Sequence, residues 1–284
     1  RKGFFIARYM DIGEDFRGDL GYLTRVDYRL YSLSGGINRY FGGGEEGRQR
    51  FRPSLNFYRQ DSQSGELLTE SREIWLNYWG LYQTWLRLGF RNRERTAKRF
   101  LQNTLEIEGN SRYFTENQLE YRIESSVFKN FRFMLAGKFG TQIDTDNYRL
   151  GDIVEVIPEI RWSPTSNIEI GLKNIYRQLD VDEGRLYTEN YLGLNLFYHL
   201  SNGSFLRFTL IDDYLKRDPE LYLFEDVDEL DREIITELLF AWKPTQLNTF
   251  FIGAKGGALD NDALDDPSLE EMSFYIKYKR VFRF

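Results

Sequence analysis

The chain contains one histidine, His199, so it offers a single candidate for the general base that many hydrolases use. His199 is followed by Ser201, Asn202 and Gly203, which predict a tight turn between two strands. Short and long connections are predicted to alternate along the chain, and this turn is one of the short ones. It therefore lies at the end of the strands opposite the long loops. We therefore interpret His199 as an ordinary residue at a strand end, and we predict no catalytic residues and no enzyme activity.

Acidic residues cluster in two predicted loops, and carboxylate oxygens are ligands that Ca²⁺ prefers. The clusters are Asp260, Asp262, Asp265 and Asp266, and Glu225, Asp226, Asp228 and Asp231. Neither has the full ligand spacing of an EF-hand loop, which favours solvated loops. The stretch "FGGGEEGR" lacks the Lys and the strand-to-helix setting of a phosphate-binding loop, and the chain has no Cys. We predict no metal and no cofactor.

Charged side chains recur at every second position of several segments. The clearest are the neighbouring segments "IVEVIPEIRW" and "NIEIGLKNIYR", where charges alternate with apolar residues. An unpaired ion in a dry core costs roughly several kcal/mol, so these charges indicate a wet lumen or an exposed sheet face. The candidates for lumen-facing residues are Arg87, Arg91, Arg93, Glu120, Arg122, Arg132, Lys138, Glu155, Glu159, Arg161, Glu169, Lys173 and Arg177.

The opposite face of these segments is apolar and rich in aromatic residues. Aromatic residues make up 17% of the chain and charged residues 29%, at a mean hydropathy of -0.54. No apolar run reaches the roughly 18 residues that a membrane helix needs. We therefore predict an all-β fold, a transmembrane antiparallel up-and-down β-barrel of about 14 strands that forms a single domain over residues 1–284. A soluble β-sandwich or an exposed single-layer sheet is the alternative.

The segment "MSFYIKYKRVFRF" ends the sequence with an alternating strand. Phe274, Ile276, Tyr278, Phe282 and Phe284 share its apolar face. A terminal aromatic residue on the lipid face is a signal that the assembly machinery reads in many barrels, so Tyr278, Phe282 and Phe284 are candidates for an assembly signal. The sequence begins without Met or a signal peptide, which predicts a processed chain or a domain of a longer protein.

Turn residues predict connections that alternate between short and long. The short ones include "SNG", "FKN", "SPTSN" and "KPTQLN". The long ones include "AKRFLQNTLEIEGN", "RDPELYLFEDVDEL" and "GALDNDALDDPSLEE". This alternation is typical of outer-membrane barrels, which have short periplasmic turns and longer external loops.

The segments "IITELLFAWKPTQLNTFFIGAKGG" and "SFYIKYKRVFRF" resemble a group of bacterial envelope proteins, common in Bacteroidota. These proteins carry an N-terminal carbohydrate-binding module similar to family 9, followed by a C-terminal domain of unknown function. "GSFLRFTLIDDYLKR" and "GYLTRVDYRLYSLSGGINRYF" are also similar to its strands. The resemblance implies an outer-membrane barrel with an N-terminal module outside this sequence, and it supplies no catalytic residues.

These observations lead to two functional hypotheses for a barrel in the bacterial outer membrane. The first is a conduit or translocation component for a hydrophilic solute or polymer, in which charged residues orient the solute. The second is a plugged anchor or scaffold, in which the same charges pair across strands and fill the lumen. Outer-membrane lipid, lipopolysaccharide, the barrel-assembly machinery and other envelope proteins are the expected partners. A net charge of -6 argues against nucleic acid.

Overall fold

The computed structural model describes residues 2–16, 26–42, 49–96, 113–201, 203–222, 227–245, 247–261 and 268–281. Fourteen β-strands account for most of them. They are β1 (Lys2–Ile12), β2 (Tyr28–Phe41), β3 (Gln49–Ser62), β4 (Leu67–Trp79), β5 (Trp85–Thr96), β6 (Tyr113–Phe128), β7 (Phe131–Asp144), β8 (Arg149–Thr165), β9 (Ile168–Val181), β10 (Gly184–Ser201), β11 (Ser204–Arg217), β12 (Leu230–Thr245), β13 (Asn248–Asn261) and β14 (Ser268–Arg280).

The strands form one sheet in which each strand pairs with its neighbours in the sequence, from β1 to β14. The pairs whose registers are described, β1 to β5 and β9 to β14, are antiparallel. An antiparallel meander without crossovers is the up-and-down architecture of outer-membrane barrels. The predicted fold class and the predicted number of strands are confirmed.

The only helical element in the described ranges is a 3-10 turn, Pro219–Leu221, between β11 and β12. Asp218 caps this turn, because its carboxylate accepts a hydrogen bond from the Glu220 backbone N–H at 3.2 Å. Within these ranges, no helix has the length and hydropathy needed to cross a bilayer.

The chain divides into two compact units. Unit 1 comprises Arg1–Ile123 and Gly137–Ile153, and unit 2 comprises Glu124–Ala136 and Val154–Phe284. In unit 1, the side chains of Trp75, Glu116 and Gln118 are almost fully buried, although two of them are polar. In unit 2, Leu179, Leu186 and Ala241 are the most buried apolar residues.

In strands such as β5 and β14 the apolar residues share one face, and that face is exposed. In β14, Phe274 and Ile276 are 74% and 80% exposed. In β5, Leu86, Leu88 and Phe90 are exposed while Arg87 and the alternate positions face the other way. Apolar surface repeated on this scale needs a nonaqueous neighbour, because water would disfavour it by roughly 25 cal/mol per Å². Lipid supplies that neighbour, as it does for the outer face of a transmembrane β-barrel.

The predicted alternation of short and long connections holds for part of the chain only, because β9 and β10 are joined by just two residues, 182 and 183, at the end where longer connections were expected. The connections β6–β7, β8–β9, β10–β11 and β12–β13 contain two residues each and share one end, and residues 218–229 join β11 to β12 at the other. The prediction for "GALDNDALDDPSLEE" was wrong at its edges, because β13 continues to Asn261 and Leu259 pairs with Ser268 of β14. The strands are longer than a bilayer requires: β10 has 18 residues, whereas roughly 9 to 11 span the membrane. Backbone pairing between β13 and β14 therefore continues into the segment that was predicted as a loop.

Candidate functional site

One row of polar side chains crosses four strands of unit 1 on their polar face. Ser34, Asn56, Glu73 and Arg91 occupy directly opposed positions on β2, β3, β4 and β5. The Ser34 hydroxyl lies 2.6 Å from the Asn56 side-chain amide. Arg91 Nε donates to Glu73 Oε1 at 2.9 Å. Strand register therefore builds a continuous row of hydrogen-bonding groups from residues far apart in the sequence.

A second row centres on a buried carboxylate in β6. Glu116 is 1% exposed and accepts hydrogen bonds from Arg93 at 2.6 Å and Arg95 at 3.0 Å. It also accepts from the backbone N–H of Ile143 at 3.0 Å. Arg91 of the first row also lies 2.7 Å from Glu120 Oε1 of β6. Three donors on one carboxylate offset its loss of hydration and fix two arginine side chains in place.

These rows line a cavity of about 560 Å³ inside unit 1. Its wall carries hydroxyl, amide and charged groups beside apolar surface, and the lining residues are Ser32, Leu33, Ser34, Asn56, Phe57, Tyr58, Thr69, Ser71, Glu73, Arg91 and Arg93. Such a wall offers many hydrogen-bond donors and acceptors at fixed positions.

Arginine and tryptophan side chains stack beside this cavity. The Arg87 guanidinium lies 3.6 Å from the ring centre of Trp75, and the Arg50 guanidinium lies 3.6 Å from that of Trp79. Arg52 lies 5.0 Å from the Trp79 ring, and Trp79 stacks on Trp85 with ring centres 6.5 Å apart. We call these six residues, Arg50, Arg52, Arg87, Trp75, Trp79 and Trp85, the arginine–tryptophan cluster.

Several N–H donors of this cluster are buried without an acceptor. They are Arg50 Nε, Arg52 Nε, Arg87 Nε and Trp85 Nε1. Within the described ranges, none of the three arginines forms an ion pair, and the neighbouring carboxylates Glu73 and Glu120 are bound to Arg91. Leaving a buried donor unsatisfied costs about 1–3 kcal/mol, so four such donors in one cluster call for an explanation.

Unit 2 has its own ion pairs on the polar face. Arg177 of β9 lies 2.7 Å from Glu155 of β8 and 2.6 Å from Glu189 of β10. Further along, Glu237 accepts hydrogen bonds from Arg207 and from the Tyr275 hydroxyl, each at 2.5 Å. These contacts link charged groups of adjacent strands into pairs and triads.

The structure brings some of the predicted lumen residues together and separates others. Arg87, Arg91, Arg93, Glu120 and Arg122 lie in unit 1, where Arg122 stacks on Trp85 at 4.9 Å. Their role in passing a solute stays a prediction.

The remaining candidates make shorter-range contacts. Lys138 donates to Gln142 at 2.7 Å, and Arg161 donates to Glu159 of its own strand at 2.9 Å. Two further contacts are Arg132 with Glu124, and Glu169 with His199 at 3.2 Å. In the part of the chain that the structure describes, Lys173 has no ion-pair partner.

The sequence analysis did not include the residues that contact the arginines of unit 1, namely Glu73 beside Arg91, Trp75 beside Arg87 and Trp79 beside Arg50. Glu73, Trp75 and Trp79 alternate with Ile74 and other outward residues in "ESREIWLNYW". The alternation that identified the other lumen-facing candidates also places these three residues on the polar face. Glu116 lies two positions before Gln118 on the same face of β6.

Other predicted features lie elsewhere. His199 packs between the rings of Phe197 and Phe205, at 6.4 and 6.2 Å. No group of three or more His, Asp or Glu side chains in the described ranges could hold a metal ion. Most residues of the two acidic loops, Glu225, Asp226, Asp262, Asp265 and Asp266, lie outside those ranges.

The candidate assembly signal is described only in part. The Tyr278 ring packs on Phe250 at 4.7 Å, and its hydroxyl donates to Asn248 at 2.8 Å. Phe282 and Phe284 lie outside the described residues. Tyr278 is exposed on the apolar face of β14.

No protein-family model matches the chain, and no curated protein matches it. Among solved structures, it is similar to a variant of the ferric enterobactin receptor of Pseudomonas aeruginosa, at 10% identity and a TM-score of 0.46, over 90% of this chain and 48% of that one. It is also similar to OmpT, an outer membrane protein of Vibrio cholerae, at 8% identity and a TM-score of 0.40, over 98% and 95% of the two chains.

A third similar structure is the siderophore receptor PirA of Acinetobacter baumannii, at 8% identity and a TM-score of 0.40, over 89% of this chain and 48% of that one. The chain spans about half the length of the receptors it matches. At these identities we infer the function from the chain's own side chains.

Proposed function

We propose that this outer-membrane barrel is a conduit or translocation component for a hydrophilic solute. The observation that carries the proposal is the row of polar side chains that opposed residues of β2 to β5 present to the 560 Å³ cavity in unit 1. A solute that leaves water must regain its hydrogen bonds, and fixed polar side chains provide them along a path.

The cross-strand contacts support this function because they hold the polar groups at fixed positions. Arg91 is bound by Glu73 and Glu120, and its guanidinium also lines the cavity. Rigid charged groups orient a passing solute better than mobile ones, since less side-chain entropy is lost on contact. A fixed wall of this kind discriminates by charge and by hydrogen-bonding pattern.

Single-channel conductance of the refolded 284-residue chain in a planar bilayer tests the conduit. We expect steady open levels. Arg91→Gln removes the cation between Glu73 and Glu120, so we expect the permeability ratio to shift towards cations. Arg185→Gln is the matched control: it removes the same charge but at the β9–β10 turn, where Arg185 pairs with Asp180 at 2.8 Å. Equal shifts for both variants would contradict a selective role for the cavity wall.

A plugged anchor is the second candidate function, and the closed ion-pair networks favour it. Arg177 is bound by two carboxylates, and Glu116 by three donors, so these groups satisfy one another without a solute. A plugged barrel gives no conductance although it inserts fully. Its work then belongs to partners, among which we propose envelope proteins and a carbohydrate-binding module like that of the group it resembles.

Partners of the outer surface follow from the same architecture. We propose that the apolar faces contact outer-membrane lipid and lipopolysaccharide. The barrel-assembly machinery is the proposed reader of the C-terminal strand β14, whose residues Phe274 and Ile276 are widely exposed. Replacing Tyr278 by Ser tests this: slower assembly in cells, with unchanged refolding in vitro, is the expected result.

A further inference from the structure

We infer that the arginine–tryptophan cluster binds the anionic group of a solute, a phosphate or a carboxylate. This inference deepens the proposed function by naming the solute class, and it rests on that function only where passage of the solute is concerned. Binding itself can be measured separately.

The cluster offers donors and no free acceptor. Arg50 Nε, Arg52 Nε, Arg87 Nε and Trp85 Nε1 are all N–H groups that are buried without a protein acceptor. A neutral solute with hydroxyl groups would leave three positive charges uncompensated. An oxyanion supplies both the acceptor oxygens and the opposite charge.

Stacking on tryptophan sets the orientation of the guanidinium groups. Arg50 and Arg87 each lie 3.6 Å from the centre of an indole ring, so one flat face of each is covered. The N–H groups of a guanidinium lie in its plane, so its edges stay available for bidentate contact with a carboxylate or phosphate. The tryptophans position the arginines without neutralising them.

The strand register places two of these arginines on one level. Arg52 lies opposite Asn77, and Asn77 lies opposite Arg87. Two strand spacings separate Arg52 and Arg87, or about 10 Å between Cα atoms. Long arginine side chains can converge on one anion over that distance, and Asn77, which is 4% exposed, lies between them.

The neighbouring carboxylates do not neutralise the cluster. Glu73 and Glu120 are both bound to Arg91, at 2.9 and 2.7 Å. Glu116 is bound to Arg93 and Arg95. Arg91 compensates one of the two charges of Glu73 and Glu120, so the three charges of Arg50, Arg52 and Arg87 exceed the one carboxylate charge that is left over in this region of the described ranges.

Tryptophan fluorescence gives a direct binding assay, because three of the five tryptophans belong to the cluster. Replacing Trp162 and Trp242 by Phe leaves only the cluster emitting. The refolded chain is titrated in detergent with glucose 6-phosphate, glucuronate, inorganic phosphate and glucose at constant ionic strength. We expect saturable changes with the three anions and none with glucose, and the relative affinities distinguish phosphate from carboxylate.

Arg87→Gln should weaken anion binding about tenfold, since it removes a charge-assisted hydrogen bond, while Arg87→Lys should weaken it less. Arg185→Gln, the control, should bind like the parent chain. Arg50→Gln serves as a second variant if Arg87→Gln does not refold, as judged by heat-modifiable migration. A response to glucose equal to that of glucose 6-phosphate, or equal affinities for the Arg87 and Arg185 variants, overturns the inference.

Conductance separates this inference from the proposed function. Saturable anion binding by a barrel that stays electrically silent supports the binding site and contradicts the conduit. Steady conductance without anion binding supports the conduit and overturns the binding site. When both are present, Arg87→Gln should lower the anion permeability ratio and Arg185→Gln should not.

Discussion

Glu116 shows how single residues on the polar face depend on partners from other strands. Its carboxylate is 1% exposed, and the two arginines that bind it are 28% and 31% exposed. A buried carboxylate without such donors would lose far more in hydration than it gains. The pair Glu159 and Arg161 differs, because Arg161 is 68% exposed and water screens the interaction.

Glu116→Gln should therefore destabilise the barrel by about 3 kcal/mol, at the lower end of the range for breaking a buried ion pair, because both arginines keep some contact with solvent. Urea unfolding in lipid vesicles, followed by tryptophan fluorescence, measures the loss. The control Glu159→Gln should cost less than about 1 kcal/mol. Equal losses would mean that the burial of Glu116 contributes nothing to the strength of its contacts.

Strands β4 and β5 show how an element accommodates a large side chain on the polar face. Trp75 lies directly opposite Gly89, and its ring covers the glycine. A Cβ atom at Gly89 would lie 2.0 Å from the Trp75 ring, so the ring would have to move to make room for it. In β7, Gly140 has a φ of 132°, and a Cβ there would lie 2.0 Å from the Asn117 carbonyl oxygen.

Gly89→Ala should lower the free energy of unfolding by about 1–3 kcal/mol and shift the tryptophan emission, because the Trp75 ring must move off its neighbour. Gly171→Ala in β9 is the matched control: its Cβ would find nothing closer than 3.9 Å. Emission spectra and urea unfolding of both variants check the prediction. Identical spectra for Gly89→Ala and the parent chain would contradict the close approach.

At the scale of the whole molecule, the exposed apolar faces and the buried polar ones invert the usual arrangement of a soluble protein. Side chains such as Phe5, Phe274 and Ile276 are more than two thirds exposed, while Glu116, Gln118 and Asn77 are buried. Lipid outside and polar groups inside account for both halves of this pattern. A soluble sandwich would show the reverse.

Leu172→Arg tests this inversion, since Leu172 lies on the exposed apolar face of β9. An arginine in the middle of the lipid-facing band costs about 2–4 kcal/mol. Asn195→Arg is the control, because Asn195 lies one register position away on the polar face, opposite Gly171. Urea unfolding in vesicles should show the loss for Leu172→Arg alone, and a neutral result for that variant would contradict the membrane-spanning arrangement.

Alternation and turn residues in the sequence are enough to predict the fold class and the face on which each strand residue lies. Alternation in "IVEVIPEIRW" places Glu155 and Val154 on opposite faces whatever the partner strand, because the period of two is a local property of the backbone. Turn residues such as Ser201-Asn202-Gly203 likewise mark connections locally.

Which residues meet depends on how the strands pair, and alternation within one strand does not contain that information. Arg93 finds Glu116, and Trp75 lies over Gly89, because the register of neighbouring strands sets them side by side. Register depends on hydrogen bonds between segments far apart in the sequence, and a shift of two residues would keep every face while changing every partner. The donors of Arg50, Arg52 and Arg87 that lack an acceptor are for the same reason visible only in the folded chain.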